Sequence, residues 1–265
     1  MRILFHVNSG KPAAKAAAKT LSVVARKAGL EVVTRGAGDA VVALGGDGTI
    51  LHAVHRFPGV PVLGFNLGGL GYLSSVGAGD FERALALLAA GRFSVLERSM
   101  LEVKGPGRKT ATALNDVVIV REMTGHAAEL DLAVDGRAAT HYMADGLVVA
   151  TPTGSTAYSL SAGGPVLMPD SRCLVVTPMN PHALAVRPMV VSDAVALRAT
   201  SCRGVNGTEE KLGVYADGEG VFLLGRGESV EIRKASESAK LIGLEGYDPY
   251  EVLGRKLGWP GAGAK

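Results

Sequence analysis

The alternation of apolar strands with helical segments in the first third of the chain limits the fold more than any other feature. Apolar runs typical of strands lie at 3–7, 31–35, 40–44 and 60–65. Helical segments lie at 12–28 and 50–56, and another begins at Asp80. Several of the strands are apolar almost throughout, which is typical of a parallel sheet covered by helices on both faces. We therefore predict that the chain begins with a Rossmann-like α/β domain.

The pattern changes at about residue 93, where short β-type runs separated by glycine turns replace the helical segments. Two pairs of runs are predicted to form hairpins around Asp-Gly turns, at 130–142 and 214–224. A helical segment returns at 248–259. The predicted fold class is thus α/β with two domains. Residues 1–97 form the parallel-sheet domain, 98–240 form an antiparallel β-rich domain, and 241–265 pack back on the first.

Composition and charge exclude several classes of partner. The formal net charge is +3 and the basic clusters are short, which suits an anionic small molecule but gives no basic stripe for nucleic acid. Cys173 and Cys202 lie in or beside apolar runs, so we expect buried free thiols rather than a disulfide. No apolar run has the length of a signal peptide or a membrane span. We therefore expect a cytoplasmic protein without a membrane partner.

A glycine-rich turn with one carboxylate, GGDGT, joins a predicted strand to a predicted helix. Gly45, Gly46 and Gly48 lack side chains, so their amides can approach phosphate oxygens near a helix N-terminus. Asp47 would repel a bare phosphate, but its carboxylate suits a site where a magnesium ion or an alcohol lies in between. Transfer of a phosphoryl group to an alcohol needs alignment more than a strong base. The turn favours such a kinase, with a structural turn capped by Asp47 or Thr49 as the alternative.

Three further motifs place polar residues next to apolar runs. The glycine-rich segment 64–74 predicts a loop that bends closely around a ligand, with Asn66 at its mouth. The pair Asn115-Asp116 offers an amide beside a carboxylate, which matches a ribose diol. In 144–166 a strand ends in small and hydroxyl residues around one tyrosine, which suits a stacked heteroaromatic ring. The structural alternatives are a strand-to-helix crossing, a turn before a strand, and an ordinary loop, respectively.

Together, the four motifs closely resemble the NAD kinase family over most of the chain, from Val41 to Trp259. Lipid kinases for diacylglycerol or sphingoid bases share the first motif but not the fourth. The resemblance implies transfer of the γ-phosphoryl group of ATP or polyphosphate to the 2′-hydroxyl of the adenosine ribose of NAD, which gives NADP. It also implies Mg²⁺ with the donor, no tightly bound organic cofactor, and a homo-oligomer, either a dimer or a tetramer. A lipid or sugar kinase and a non-catalytic NAD sensor are the alternatives.

The resemblance also implies roles for individual residues, with the site in the cleft between the two domains. Asp47 would accept the proton of the ribose hydroxyl. The positions implied to contact the donor phosphates are Gly45, Gly46, Thr49 and His52. The positions implied to contact the dinucleotide are Gly48, Asn66, Asn115, Asp116, His126, Met143, Asp145, Thr156, Ala157, Tyr158, Ser159, Leu160, Ser161, Asn180 and Glu219. For His52 the alternative is an ordinary place on the helix surface, and for His126 a solvated turn.

Three positions depart from the family pattern. Asp116 stands where the family has glutamate and is one methylene shorter. Met143 stands where relatives often have arginine, which removes a candidate phosphate contact. Glu219 stands where glutamine is common, and its charge could influence which dinucleotide is preferred. No protein metal cage is expected, because the six histidines lack ligand spacing and the sequence shows no Cys/His cluster.

Overall fold

The computed structural model of the chain describes residues 1–7, 12–36, 38–68, 71–74, 76–122, 127–202 and 211–259. The chain divides into two compact units. The first comprises Met1–Arg98 and Ala239–Lys265, and the second comprises Ser99–Ser238. Which substrate each unit binds stays a prediction.

The helices and strands follow one another along the chain without long gaps. Up to residue 104 they are β1 (Arg2–Val7), α1 (Pro12–Lys27), β2 (Glu31–Val33), β3 (Ala40–Leu44), α2 (Asp47–Arg56), β4 (Val62–Phe65), α3 (Phe81–Ala89) and β5 (Phe93–Lys104). They continue with β6 (Thr110–Ala113), β7 (Asp116–Arg121), β8 (Ala128–Val134), β9 (Arg137–Ala144), β10 (Gly146–Ala150), α4 (Tyr158–Ser161), β11 (Cys173–Met179), β12 (Met189–Ser192), β13 (Leu197–Ser201), β14 (Leu212–Ala216), β15 (Glu219–Leu224), β16 (Ser229–Leu244) and α5 (Pro249–Leu257). Short 3-10 helices lie at Ala78–Asp80, Pro106–Arg108 and Thr153–Thr156.

The first unit is built on the parallel sheet that the sequence predicts. Its strands pair in the order β2, β1, β3, β4, and the last part of β16 joins β4 in parallel. All five residues of β3 are buried, because α1 and α3 cover one face of the sheet and α2 lies against β3 and β4. The core on the α1 and α3 side includes Phe65 and Phe81, whose rings stack at 4.6 Å. The predicted covering of a parallel sheet by helices is confirmed.

Helix α2 begins earlier than its apolar periodicity predicts, at Asp47 instead of residue 50. Gly46 is extended at the N-cap position, and the Thr49 amide donates to the Gly46 carbonyl at 2.9 Å. The GGDGT turn is therefore also the first turn of a helix. A carboxylate in that turn interacts favourably with the helix dipole. The turn thus places Asp47 at the carboxyl end of the parallel sheet, where α/β proteins bind their ligands.

The second unit contains mainly antiparallel strands. Six of them pair in the order β12, β11, β10, β7, β14, β15, and in another sheet β16, β13, β8 and β9 pair in that order. Leu130 and Leu132 of β8 pack in one apolar cluster with Val117 and Ile119 of β7, so the core of the unit lies between these sheets. The antiparallel β-rich part of the predicted fold class is confirmed.

Both predicted Asp-Gly hairpins are present. Their central residues have positive φ, 48° and 75° at Asp135-Gly136 and 49° and 84° at Asp217-Gly218. Such values are typical of the type I′ turn, whose twist matches that of the strands it joins. The runs predicted between 93 and 244 are mostly short, and β5 and β16 are the long ones among the described strands, with 12 and 16 residues. An exposed, mostly polar stretch in the middle of β16, at 233–237, interrupts its apolar pattern, so the sequence does not show its full length.

Strand β10 is buried on both faces, although its sheet is antiparallel. Leu147 and Val149 point into the core between the sheets, whereas Val148 and Ala150 pack with Ala162 and Leu167 on the opposite face. The chain that follows β10 therefore folds back over the strand. This packing holds the hydroxyl-rich segment of the fourth motif at the end of β10.

Two further sequence predictions concern the cysteines and the membrane. Cys173 and Cys202 are free, as predicted, but both are partly exposed because they lie at or next to strand ends. Within the described part of the chain, no helix combines the length and the apolarity needed to cross a membrane.

Candidate active site

The first group of predicted site residues surrounds Asp47 in the first unit. The two carboxylate oxygens of Asp47 accept hydrogen bonds from the backbone amides of Tyr72 and Leu73, at 2.8 and 3.1 Å. The GGDGT turn and the glycine-rich loop are thus held together by one side chain. Gly71 allows this approach, because a Cβ at that position would overlap the Asp47 carboxylate. The structure therefore fixes the orientation of the predicted proton acceptor.

Asn66 and Ser74 brace the same loop from inside. The Asn66 side-chain oxygen accepts from the Gly68 amide at 2.8 Å, and its nitrogen donates to the Ser74 hydroxyl at 3.1 Å. The Ser74 hydroxyl also accepts from the Gly71 amide at 2.8 Å. Asn66 is only 4% exposed, so in this structure it shapes the loop from within. Its contact with a substrate stays a prediction.

The glycines of the turn have different surroundings. The Gly45 amide donates to the Phe65 carbonyl at 2.9 Å, so it is engaged within the sheet. A Cβ at Gly46 or at Gly48 would meet no atom within 4 Å, so the backbone there is open to a ligand. The first turn of a helix offers amides that lack intrahelical acceptors. The phosphate-binding role predicted for Gly45, Gly46 and Thr49 thus has its best support at Gly46, next to Asp47.

His52 is part of a histidine pair. Its Nδ1 atom lies 2.9 Å from Nε2 of His6, and the two rings are stacked with centroids 4.9 Å apart. Burial lowers the pKa of His6, and the nearby His52 and Arg56 lower it further. The His52 side chain therefore contacts a side chain of β1. It is not isolated on the helix surface, which was the alternative for this residue. His6 was not predicted from the sequence, because only the fold brings it to His52. The parallel pairing of β1 with β3 places it opposite Ala43.

Helix α5 brings a cation to the glycine-rich loop. The Lys256 ammonium group lies 5.5 Å from the centroid of the Tyr72 ring. Burial raises the pKa of Tyr72, and the charge of Asp47 raises it further. From the sequence, the segment around Lys256 is predicted as a helix that packs back on the first domain, without a role for Lys256 itself. Its position beside the loop that holds Asp47 follows from the fold.

The second group of predicted residues lies in the second unit, around Asn115 and Asp116. The Asp217 carboxylate accepts from the amides of Leu114 and Asn115, both at 2.7 Å, and from that of Asp116 at 3.3 Å. The Asp217 amide donates back to the Asp116 carbonyl at 3.0 Å. The turn between β14 and β15 therefore positions the Asn-Asp pair. From the sequence, Asp217 is predicted only as a turn residue, and this role becomes visible in the folded chain.

Asp116 is buried, with 5% of its surface exposed. Burial raises its pKa from 3.8 to about 7, and the charge of Asp217 adds to that effect. A hydrogen bond with the backbone of Tyr158 opposes the shift. Near neutral pH, Asp116 thus exists in both protonation states. Only the ionised form is purely an acceptor for ribose hydroxyls.

A group with a pKa near 7 goes from mostly neutral to mostly ionised between pH 6 and pH 8, so we expect the KM for the dinucleotide that the family resemblance implies to fall about tenfold there. Substrate binding should thus strengthen as the pH rises, whereas the stability of the fold should decrease. The folded protein holds the proton of Asp116 more tightly than the unfolded chain does, so the stabilisation is complete below pH 3.8. It should be lost progressively as the pH rises from 3.8 to 7, by about 4 kcal/mol in total. Steady-state kinetics between about pH 6 and pH 8 and urea unfolding between about pH 4 and pH 8 measure the two trends, and Asp116→Asn should remove both.

Residues 151–161 of the fourth motif pack against Asn115 and Asp116. The Thr151 hydroxyl donates to the Leu114 carbonyl at 2.6 Å, and the Thr151 amide donates to the Asn115 carbonyl at 2.9 Å. Ser155, which was not among the predicted site residues, is buried, and its hydroxyl donates to the Pro152 carbonyl at 2.7 Å. Several hydroxyl groups of the motif therefore build the loop. They shape the site around the Asn-Asp pair.

The remaining residues of this motif differ in their exposure. Tyr158 is 47% exposed, so part of its ring is open to a stacked ligand. Ser159 is fully buried, and its hydroxyl lies 2.8 Å from that of Thr177. The Thr156 hydroxyl donates to the Thr153 carbonyl at 3.2 Å. The other predicted contacts of this motif, at Ala157, Leu160 and Ser161, lie in or beside the one-turn helix α4.

Asp145 belongs to a second polar cluster of this unit. Its carboxylate forms an ion pair with Arg121 at 2.8 Å and accepts from the Asn180 side chain at 2.8 Å. The structure thus brings together the predicted Asp145 and Asn180, which are 35 positions apart. Arg121 was missed because it ends an apolar strand without any motif. Met143 and Glu219 are exposed on β9 and β15, and the predicted His126 lies outside the described residues.

Comparisons with known proteins match both parts of the chain to one family. Residues 5–93 match the ATP-NAD kinase N-terminal domain, and 114–244 match the ATP-NAD kinase C-terminal domain. The NAD kinase of Syntrophotalea carbinolica is 40% identical over 227 residues, which are 83% of this chain and 78% of that protein.

Two solved structures are similar over almost the whole chain. Yeast NADH kinase complexed with NADH superposes with a TM-score of 0.84 at 25% identity, over 98% of this chain and 88% of that one. An NAD kinase from Archaeoglobus fulgidus in complex with ATP superposes with a TM-score of 0.77 at 27% identity, over 92% of this chain and 94% of that one. The alternative of a lipid kinase gains no support from these matches. With both domain models matched, a relative at 40% identity and the Asp47 turn in place, the chain belongs to the NAD kinase family.

Proposed function

We propose that this chain phosphorylates the 2′-hydroxyl of the adenosine ribose of NAD to form NADP, with ATP as the phosphoryl donor. The observation that carries the proposal is the Asp47 carboxylate, fixed by two backbone amides at the start of α2. A carboxylate held in this way is aligned before the substrate arrives, and alignment is most of what phosphoryl transfer requires from the protein. The structural relatives that bind NADH and ATP support the two substrates.

In the proposed reaction, the 2′-oxygen forms a bond to the γ-phosphorus while the bond from that phosphorus to the β,γ-bridging oxygen breaks. The proton of the hydroxyl passes to the carboxylate of Asp47, and ADP leaves with the electron pair of the broken bond. Backbone amides at the start of α2 face the charge on the transferring group. Because the transition state is loose, the proton is needed late, and a carboxylate is a sufficient acceptor.

Residues of the second unit would bind the dinucleotide. Asn115 and the ionised Asp116 offer the acceptors that ribose hydroxyls need, and Asp217 holds their backbone in place. The half-exposed ring of Tyr158 offers a surface for a flat heteroaromatic group. The ion pair of Arg121 with Asp145, joined by Asn180, would add polar contacts. These groups bind and orient the acceptor, whereas Asp47 takes part in the proton transfer.

The residues near Asp47 suit a magnesium ion that arrives with the polyphosphate donor. Among the residues that the structure describes, Asp47 belongs to no group of three metal-ligating side chains. Mg²⁺ in kinases is commonly held by one or two carboxylates together with substrate phosphates and water. The ion would therefore be held beside Asp47 mainly by the donor phosphates and water, and it would neutralise charge on the transferring group. Polyphosphate as a donor, a dimeric or tetrameric state and a cytoplasmic location are further parts of this proposal.

The test is formation of NADP by the purified chain with Mg²⁺ and either ATP or polyphosphate, followed with a dehydrogenase specific for NADP. A parallel reaction supplies diacylglycerol and labelled ATP. We expect NADP to form and the lipid to stay unlabelled. Label in the lipid without NADP would show a lipid kinase, and NAD binding without turnover would show a sensor. Light scattering on the same sample measures the oligomeric state.

A further inference from the structure

Three side chains of metal-binding types meet on the surface of the second unit, and none of them is assigned to the kinase reaction. They are the carboxylate of Asp131, the imidazole of His141 and the thiol of Cys202. One ligand atom from each lies within 4.8 Å of the other two. Asp131 and His141 are exposed and Cys202 is partly exposed, so an ion from solution can reach all three.

The sheet fixes the positions of these side chains. Asp131 on β8 pairs directly with His141 on β9, and the His141 Nδ1 atom lies 2.8 Å from an oxygen of Asp131. Asp131 pairs on its other side with Thr200 on β13. Cys202 follows this strand, and its amide donates to the Glu129 carbonyl at 2.9 Å. Neighbouring strands in a sheet are about 4.8 Å apart, which places side chains of one face within reach of a common ion.

We propose that Asp131, His141 and Cys202 form a binding site for Zn²⁺ or a similar soft divalent cation. Zinc takes oxygen, nitrogen and sulfur ligands at about 2.0–2.3 Å and often has three protein ligands with an open fourth position. Tetrahedral geometry at those lengths separates the ligand atoms by about 3.3–3.7 Å, so small side-chain rotations would close the site. A thiolate among the ligands disfavours Mg²⁺ and Ca²⁺, which prefer oxygen.

The charges around the cluster favour a cation. Asp131 hydrogen bonds with both His141 and Cys202, and Glu129 adds a second negative charge near the thiol. The same contacts disfavour a catalytic cysteine. Burial and the contact with Asp131 raise the pKa of Cys202 to about 11, whereas reactive cysteines have a lowered pKa. A bound zinc ion would displace the thiol proton to solvent and bond to the sulfur.

The sequence predicts no metal cage, because no Cys/His cluster is visible along the chain. Cys202 lies 61 positions after His141, so only the pairing of β8 with both β9 and β13 brings the three side chains together. Because the three ligands lie on adjacent chain segments, a bound ion would link neighbouring strands of the sheet. An ion that binds only the folded protein raises its stability. The site does not depend on the proposed phosphoryl transfer.

The first test uses Co²⁺ as a spectroscopic substitute for Zn²⁺ in untagged full-length protein. We expect one equivalent of Co²⁺ to produce the near-ultraviolet charge-transfer band of a cobalt–thiolate bond, and Zn²⁺ to abolish it. Cys202→Ser should remove the band, and His141→Ala should weaken cobalt binding at least tenfold. Cys173→Ser is the matched control, because Cys173 is the other partly exposed free cysteine, and it should keep the band.

The second test measures the Tm with and without a small excess of Zn²⁺. We expect zinc to raise the Tm of the wild type and of Cys173→Ser by several degrees, but not that of Cys202→Ser. NADP formation by Cys202→Ser should equal that of the wild type. A cobalt spectrum without a thiolate band, or one that survives Cys202→Ser, would overturn the proposal. So would a Tm shift that is the same in all three proteins.

Discussion

Replacing Asp47 with asparagine should lower kcat for NADP formation by about 10²–10⁴-fold, the range that a positioned acid or base contributes. Asparagine has nearly the size of aspartate but cannot accept the proton of the ribose hydroxyl. The KM for NAD should change much less, because binding of the dinucleotide is assigned to the residues around Asp116. Stopped-time assays of NADP at saturating NAD and ATP measure the loss. A kcat within tenfold of the wild type would remove Asp47 from the mechanism.

The structure shows why this variant needs a control. Both Asp47 oxygens accept hydrogen bonds from backbone amides of the glycine-rich loop, whereas an asparagine side chain has only one acceptor oxygen. The loop would therefore loosen at a cost of about 1–3 kcal/mol. Ser74→Ala loosens the same loop without touching the carboxylate, because it removes the hydroxyl that braces Gly71 and Asn66. We expect Ser74→Ala to lose less than about tenfold in kcat. Equal losses in both variants would mean that Asp47 acts only through the loop.

Replacing Asp217 with asparagine should lower kcat/KM for NAD by about 10–100-fold, mainly through KM. The Asp217 carboxylate holds three consecutive backbone amides, and asparagine offers one acceptor oxygen without charge. Asn115 and Asp116 would then lose their fixed orientation, and a displacement of about 1 Å can cost about 10²-fold. The pKa of Asp116 should also fall, because Asp217 contributes to its elevation. Steady-state kinetics and the pH profile of KM measure these two effects.

Asp135→Asn is the matched control for Asp217→Asn. Asp135 occupies the same place in the other Asp-Gly hairpin turn, and its carboxylate also accepts a backbone amide, that of Ala196, at 2.8 Å. The Asp135→Asn variant should be somewhat less stable than the wild type, but its KM for NAD and the pH dependence of that KM should be unchanged. If Asp135→Asn raises KM as much as Asp217→Asn does, the effect comes from general destabilisation. If Asp217→Asn leaves KM unchanged, Asp217 does not position the substrate site.

The glycine-rich loop shows how far sequence reasoning reaches. The sequence predicts a loop that bends closely around something, and in the structure that includes the carboxylate of Asp47. Four glycines in a short segment signal a close approach, but they do not name the group that is approached. Asn66 was predicted at the mouth of this loop because it is polar, yet both ends of its side chain bind inside the loop. Polarity alone does not distinguish a ligand contact from a structural brace.

The sequence by itself determined the fold class, the two hairpin turns and the family, because periodicity, turn chemistry and motif spacing are local properties of the chain. Only the tertiary structure decided which distant groups meet. Asp217 holds the amide of Leu114 from 103 positions away, and His6 reaches His52 across 46. Such contacts depend on strand order and register, and each strand's own sequence specifies only which face is buried. For that reason Asp217, His6 and the cluster of Asp131, His141 and Cys202 became visible only in the folded chain.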